Sequence, residues 1–253
     1  MLRKTTALLL LIAPAFGLAA APKPGPDLAA IRAAIEKAYP RVQIKSMVPS
    51  ETMKGWLEVV TPDHLVYVDE AGARLFVGNV IELATQTDLT AQRWSALNKI
   101  DFSALPLNLA ITVKHGSGSR QLAVFADPLC PFCQQLEQQI AELPDVTVHT
   151  FLFPLESLHP GATEAAGRLW CSADRSAAWV AWMQHKTAPE NASQCDTQGL
   201  TTILNLGKQL KVGSTPTLFF ADGTRADGLI SNAEIERSLD AASRGTGRSR
   251  HGG

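Results

Sequence analysis

Cys130 and Cys133 stand one helical turn apart in the stretch FADPLCPFCQQLEQ, residues 125–138. Such a pair can clip a metal, staple the fold, or exchange disulfides. A zinc site needs a second pair or a spaced His pair. Here the remaining cysteines, Cys171 and Cys195, have 23 residues between them, and no H-x₃₋₅-H run follows. An inert staple at a helix start is the second reading. The local physics favours the third, redox exchange. An apolar run ends near Asp127, and Pro131 is suited to the first position of a helix, where its missing N–H costs nothing. Cys130 then falls at the N-cap, where free N–H groups and the helix dipole favour a thiolate. Cys133 falls on the face of Leu136 and Ile140. The spacing therefore predicts an exposed, activated nucleophile at Cys130. It predicts a more buried resolving thiol at Cys133, able to release a trapped mixed disulfide.

A second signal lies far along the chain. GSTPTLFF places Pro216, preceded by Thr215, just before a strand, where a missing donor is tolerated. In a redox fold of this element order, a cis-proline here lies beside the cysteine pair and leaves a backbone edge open to an extended substrate. An ordinary strand-start proline is the alternative. Cys171 and Cys195 bracket SADRSAAWVAWMQHKTAPENASQ. Closing that loop would stabilise the chain by roughly 3 kcal/mol on the chain-entropy model. It reads as a structural disulfide, with a second redox pair as the alternative. The His residues show no ligand spacing, and His149 alternates within a strand. No metal and no cofactor is called for. The NAS sequon at Asn191 reads as chance.

The elements that must position these residues fall into two groups. DLAAIRAAIEKAYP has Leu28, Ile31 and Ile35 at helical spacing and ends at Pro40. Strand-like runs follow at VQIKSMV, GWLEVV, HLVYVD and RLFVGNVIEL, with a hairpin around Gly72. This unit, 25–85, is small, and its thin core makes it marginal alone, so that it would gain from pairing with another copy or another domain. TDLTAQRWSALNKIDF predicts a connecting helix within a linker at 86–106. The second unit, 107–243, opens with the strands LAITVK and QLAVFAD around a Gly/Ser turn. A helix from Pro131 and the strand VTVHTFLF come next. Three helical stretches begin at GATEAAGRLWC, DRSAAWVAWMQHK and GLTTILNLGKQL. The strand TPTLFF, a turn at ADG and the helix NAEIERSLDAAS close the unit. A mixed sheet with helices on its faces, an α+β protein, is expected. The tail 244–253 is Gly- and Arg-rich and is expected to be disordered.

Composition excludes some functions. Hydrophobic residues make up 45% of the 253, charged residues 19%, and net charge is −1, which gives no nucleic acid a basic surface. Arg3 and Lys4 precede an apolar run ending in small residues, the plan of a secretory signal peptide over 1–20. The run is interrupted by Pro14 and too short for stable membrane insertion. Cleavage after Ala19 or Ala20 would remove Arg3 and Lys4 and leave a net charge of −3. Four cysteines in an exported chain fit an oxidising compartment.

The leader, the small first unit, the connecting helix, FADPLCPFC, WC…C and STPT together resemble periplasmic thiol:disulfide interchange proteins of the DsbC/DsbG family, closer to DsbC. The resemblance covers essentially the whole mature chain. It implies a cystatin-like N-terminal dimerisation domain, a linker helix, and a C-terminal thioredoxin fold with a helical insert. It implies a homodimer with an apolar cleft. The substrates would be misfolded or mis-oxidised exported proteins, and a DsbD-like membrane reductase would be the electron source. By position, Cys130 and Cys133 would be catalytic, Thr215 and Pro216 would form the cis-proline loop, and Cys171–Cys195 would be the structural disulfide. The implied activity is disulfide isomerisation and reduction, with chaperone activity. A DsbG-like chaperone and thiol reductase, or a DsbA-type dithiol oxidase, are the alternatives. Typical DsbC members carry Gly-Tyr between the cysteines. Pro131-Phe132 is nearer the Pro-Tyr of DsbG and would shift the redox potential.

Overall fold

A computed structural model describes residues 25–189 and 195–248. The expected leader (1–20), the Asn191 sequon and the last residues of the tail lie outside the described residues. The chain divides into two compact units, 1–77 and 78–253.

In the first unit, helix α1 (Leu28–Ala38) is capped by the Asp27 carboxylate, which accepts from Ala29 N at 3.1 Å and Ala30 N at 3.0 Å. Strands β1 (Ser46–Pro49), β2 (Trp56–Val60), β3 (Leu65–Asp69) and β4 (Leu75–Phe76) form an antiparallel sheet in chain order. The register sets Met47 opposite Val59, Leu57 opposite Val68, and Tyr67 opposite Phe76. Ile31 of α1 joins Met47, Leu57, Val59 and Val68 in one small core, while Leu28 is exposed. The β3–β4 hairpin turns at Gly72, whose φ of +69° and close approach to Ile31 admit no side chain.

The expected continuous strand RLFVGNVIEL is broken. It stops at Phe76, and Gly78 takes a φ of +155°. The chain then enters the second unit through a two-stranded ribbon, β5 (Ile81–Glu82) and β6 (Thr87–Asp88). Helix α2 (Leu89–Leu97), capped by Asp88, is shorter than the expected connecting helix, and two 3₁₀ turns, Phe102–Ala104 and Leu107–Leu109, follow it. It belongs to the second unit.

The rest of that unit has the order β7 (Ile111–Lys114), β8 (Arg120–Ala126), α3 (Pro131–Ala141), β9 (Val146–Leu152), α4 (Ala162–Trp170), α5 (Arg175–His185), α6 (Gln198–Gln209), β10 (Thr217–Phe220), β11 (Arg225–Asp227) and α7 (Asn232–Arg248). Arg225 N donates to Ser95 Oγ at 2.7 Å, Lys99 Nζ pairs with Asp222 at 2.7 Å, and Ile100 N donates to Gly223 O at 3.0 Å. These bonds tie α2 and the segment after it to the β10–β11 hairpin. Gly223 (φ +84°) is required there, since a Cβ would sit 2.0 Å from Ile100 O.

The five strands pair in the order β11-β10-β8-β9-β7. β7 and β8 are joined by a Gly/Ser turn yet do not pair. β9 lies between them, parallel to β8 and antiparallel to β7. The β8–α3–β9 crossover makes this possible, since a parallel pair needs a helix-length connection. Leu122–Ala126 of β8 are buried without a break, the mark of a strand covered on both faces. Phe125 stacks on Phe151 with ring centroids 5.0 Å apart and meets Phe153 and Phe219 edge-on. Helix α7 runs to Arg248, past the start of the tail expected to be disordered.

Candidate active site

The register puts the two predicted site segments side by side. Thr217 of β10 pairs antiparallel with Phe125 of β8. Thr215 and Pro216, just before β10, therefore lie beside the chain leaving the carboxyl end of β8, where Cys130 follows. The Thr215–Pro216 peptide is cis. The Cys130 thiol donates to Thr215 O at 3.3 Å across 85 residues of sequence.

Cys130 is the N-cap of α3, Pro131 is its first residue, and the N–H groups of Cys133 and Gln134 reach back to Cys130 O at 3.1 Å. The thiol is drawn down from its ordinary range to about 5. Its largest cause is a hydrogen bond from the Cys133 thiol, opposed by desolvation. The Cys133 N–H, the Thr215 side chain and the Phe132 N–H add to it. The Thr215 hydroxyl is buried and has no hydrogen-bond partner among the described residues. Its proton is free to meet a sulfur anion. Cys133 is pushed the other way, above the ordinary thiol range, first by burial and then by ionised Cys130 beside it.

Cys133, Leu136 and Ile140 share the predicted buried face. Cys130 differs from expectation, because it is only 2% exposed against 1% for Cys133. The Thr215–Pro216 segment packs against its sulfur, a tertiary neighbour that local spacing cannot show. The two thiols are therefore separated by acidity rather than by exposure. Pro131 and Phe132, between the two cysteines, are the exposed residues at the junction, Phe132 at 58%.

Sequence reasoning missed the residues that brace this junction. Asp127, fully buried, accepts from Leu129 N at 2.7 Å and Leu155 N at 2.6 Å, and His159 Nδ1 lies 3.0 Å from its Oδ2. It thus ties the loop before Cys130 to the loop before α4. Trp182 of α5 donates from Nε1 to Pro128 O at 2.7 Å. Glu137, one turn beyond Cys133 on α3, is buried and accepts from Trp179 Nε1 of α5 at 2.7 Å. Burial raises its carboxyl to about 7, against the lowering effect of the Trp179 bond. An acid within FADP and tryptophans at helical spacing in the insert were the visible signals, but neither pairing is local. His149, bracketed by Thr112 at 3.1 Å and Gln121 at 2.8 Å, is a satisfied buried histidine.

Cys171 and Cys195 form a disulfide with Cα atoms 5.6 Å apart, joining the end of α4 to the segment before α6. Cys130 and Cys133 are free thiols. Among the described residues no helix is long and apolar enough to cross a membrane. Nor does any cluster of His, Cys, Asp and Glu there have the makings of a metal site.

Comparison with known proteins agrees with this architecture. Residues 22–91 match the disulfide bond isomerase protein N-terminal domain, and residues 107–243 match the thioredoxin-like domain. The chain is 37% identical over 188 residues to the probable thiol:disulfide interchange protein DsbC of Bordetella pertussis; that match covers 74% of this chain and 66% of the relative. The Bordetella avium protein of the same name is 35% identical over 216 residues, covering 85% of this chain and 76% of the relative. The Escherichia coli K12 thiol:disulfide interchange protein DsbC is 25% identical over 211 residues, covering 82% and 87%. Among solved structures, a disulfide interchange protein from Neisseria gonorrhoeae superposes with a TM-score of 0.53 at 37% identity, over 55% of this chain and 99% of that one.

Proposed function

The chain belongs to the DsbC family of thiol:disulfide interchange proteins, and from that premise we propose that it rearranges and reduces wrongly paired disulfides of exported proteins through Cys130 and Cys133. The observation that carries this reading is the opposed acidity of the pair: Cys130 near 5, and Cys133 above the ordinary thiol range. At neutral pH Cys130 is a thiolate and Cys133 holds its proton, so the roles of nucleophile and resolving thiol are divided before a substrate arrives.

The Cys130 thiolate attacks one sulfur of a substrate disulfide. A Cys130–substrate S–S bond forms, and the electron pair leaves on the other substrate sulfur. When a second substrate thiolate then attacks the bound sulfur, the disulfide moves and Cys130 is regenerated with no net electron transfer. When Cys133 attacks Cys130 instead, the substrate is reduced and Cys130–Cys133 is oxidised. Two electrons must then come from a DsbD-like membrane reductase. Thr215 and Pro216 supply the backbone edge for an extended substrate, and exposed Phe132 adds an apolar contact at the same end of α3. Cys171–Cys195 staples the helical insert and takes no part in exchange.

In the same reading, residues 25–85 form the dimerisation domain, 86–106 the linker and 107–243 the catalytic domain. The protein works as a periplasmic homodimer after loss of its leader and holds unfolded chains as a chaperone. The test uses scrambled, disulfide-bonded ribonuclease. Wild type restores ribonuclease activity, and Cys130→Ser reduces the rate to background. A Cys130→Ser protein as fast as wild type sinks the proposal. Aggregation suppression that survives Cys130→Ala, together with weak isomerase activity in wild type, would favour the DsbG-like reading.

A further inference from the structure

The Thr215–Pro216 segment is held unevenly along its length. After it the sheet takes over. Gly228 N donates to Pro216 O at 2.8 Å, and Thr217 pairs with Phe125 on one side and Asp227 on the other. Ahead of Pro216, no backbone N–H among the described residues reaches the Ser214 or the Thr215 carbonyl. Side chains hold these two instead. The Cys130 thiol donates to Thr215 O at 3.3 Å, and the Thr217 hydroxyl donates to Ser214 O at 2.9 Å.

The first of these bonds belongs to the protonated sulfur alone. Once Cys130 has ionised it has no proton to donate, and Thr215 O is released to accept from a substrate N–H. The Thr217 bond is the one that stays, closing back across Thr215 and Pro216. Thr217 is fully buried, and its hydroxyl has a single proton. Asp227 Oδ1, at 3.0 Å, is a second acceptor for it. Arg225 donates to the same Oδ1 and offsets the pull of the carboxylate on that proton. Arg225 is itself fixed, since its Nη1 donates to Leu210 O at 3.0 Å and its N–H to Ser95 Oγ of α2 at 2.7 Å. The ion pair thus leaves the Thr217 proton to Ser214 O. A valine would fill the same space in this buried strand with no polar group to satisfy, so the hydroxyl calls for a role beyond packing.

We propose that Thr217 is a positioning residue that clamps the substrate edge through Ser214 O. The inference rests on the exchange reading above and deepens it. Thr217 reaches neither the substrate nor the sulfur. It keeps the Thr215 carbonyl in place while Cys130 is a thiolate, so an extended protein chain meets an edge that is already ordered and binds at lower cost. A small disulfide needs only the Cys130 sulfur and gains nothing from the clamp. Arg225 and Asp227 set the direction of the Thr217 proton.

The test compares two substrates of the reduced full-length protein: scrambled ribonuclease, read as kcat and KM, and dithiobis(nitrobenzoate), whose first thiol release reports attack by Cys130. Thr217→Val is expected to raise KM for ribonuclease by roughly three- to tenfold, the loss of one hydrogen bond, with kcat and the first release within about twofold of wild type. Ser214 is exposed, so its carbonyl passes to water in this variant. Thr217→Ser, which keeps the hydroxyl, should restore the wild-type KM. Asp227→Ala, at a half-exposed side chain, should leave KM within about twofold, because the hydroxyl then has Ser214 O as its acceptor. A wild-type KM in Thr217→Val overturns the assignment. So does a first release slowed as much as the ribonuclease reaction, since the hydroxyl would then act on Cys130 or on the fold. A KM in Asp227→Ala as high as in Thr217→Val would put the action of the hydroxyl on β11 and overturn it as well. Wild type that attacks dithiobis(nitrobenzoate) and leaves scrambled ribonuclease untouched would instead sink the isomerase reading, and this inference with it.

Discussion

The two cysteine pairs of this chain are made of the same atoms and sit in different surroundings. Cys130 and Cys133 share one turn at the start of α3, where the Cys133 thiol, helix N–H groups and the Thr215 segment draw Cys130 down, and burial and then the Cys130 sulfur push Cys133 up. Cys171 and Cys195 lie 24 positions apart, at the end of one helix and ahead of another, and are joined. No helix start activates either of them, since Cys171 caps the carboxyl end of α4. What the difference teaches is that a cysteine's chemistry follows from the donors around it. Close spacing at a helix start makes a thiolate that can exchange, and distant placement across a loop makes a constraint on the unfolded chain.

The sharpest way to break this contrast is to remove one sulfur from each pair. Cys130→Ser should lower isomerase activity to background, a loss of about a hundredfold or more. Replacing both Cys171 and Cys195 by serine should leave activity at permissive temperature within a few-fold of wild type. The same double variant should lose about 3 kcal/mol of stability in denaturant titrations. Equal loss of activity in both would collapse the distinction.

Titration refines the contrast within the reactive pair. Thiolate absorbance should rise through an inflection near pH 5 as Cys130 ionises. Cys133→Ala should move that inflection upward, because the Cys133 thiol is the largest cause of the lowering. The sign for stability follows. Cys130's folded value lies below its ordinary 9.0, so its contribution to the reduced state is full above pH 9 and lost as pH falls through 5.

Glu137 has the opposite sign. Its folded value of about 7 lies above the ordinary 4.5, so wild type loses stability as pH rises from 4.5 through 7. Glu137→Gln should therefore be more stable than wild type at pH 8, by on the order of 2 kcal/mol, and match it at pH 4. Denaturant melts at the two pH values check this. The smallest effect is expected at Phe132, whose exposed ring is replaced in Phe132→Ala. The loss should be a few-fold in KM for an unfolded protein substrate, with the Cys130 inflection in place.

The reactive pair, its helix and the proline partner were legible in the sequence because each signal is local. Pro131 marks a helix start, Cys133 keeps step with Leu136 and Ile140, and Pro216 opens a strand. The small first unit was legible through alternating strands and one amphipathic helix. The interruption at Gly78 was missed although Gly78-Asn79 is a turn signal within RLFVGNVIEL; the chain leaves the sheet after Phe76, and Gly78 takes a φ of +155°. The placement of α2 and the segment after it on the β10–β11 hairpin was equally hidden, because the bonds from Ser95, Lys99 and Ile100 to Arg225, Asp222 and Gly223 span more than a hundred residues.

The sequence by itself determined where sulfur chemistry could occur, since residue type, one-turn spacing and proline position are properties of the local chain. Tertiary structure alone decided how that chemistry is tuned. It inserted β9 between β7 and β8, packed Thr215 against Cys130, covered a thiol that local pattern would leave exposed, and buried Glu137 against Trp179. Acidity depends on desolvation and on donors within a few ångströms, and folding draws those neighbours from residues scattered along the chain.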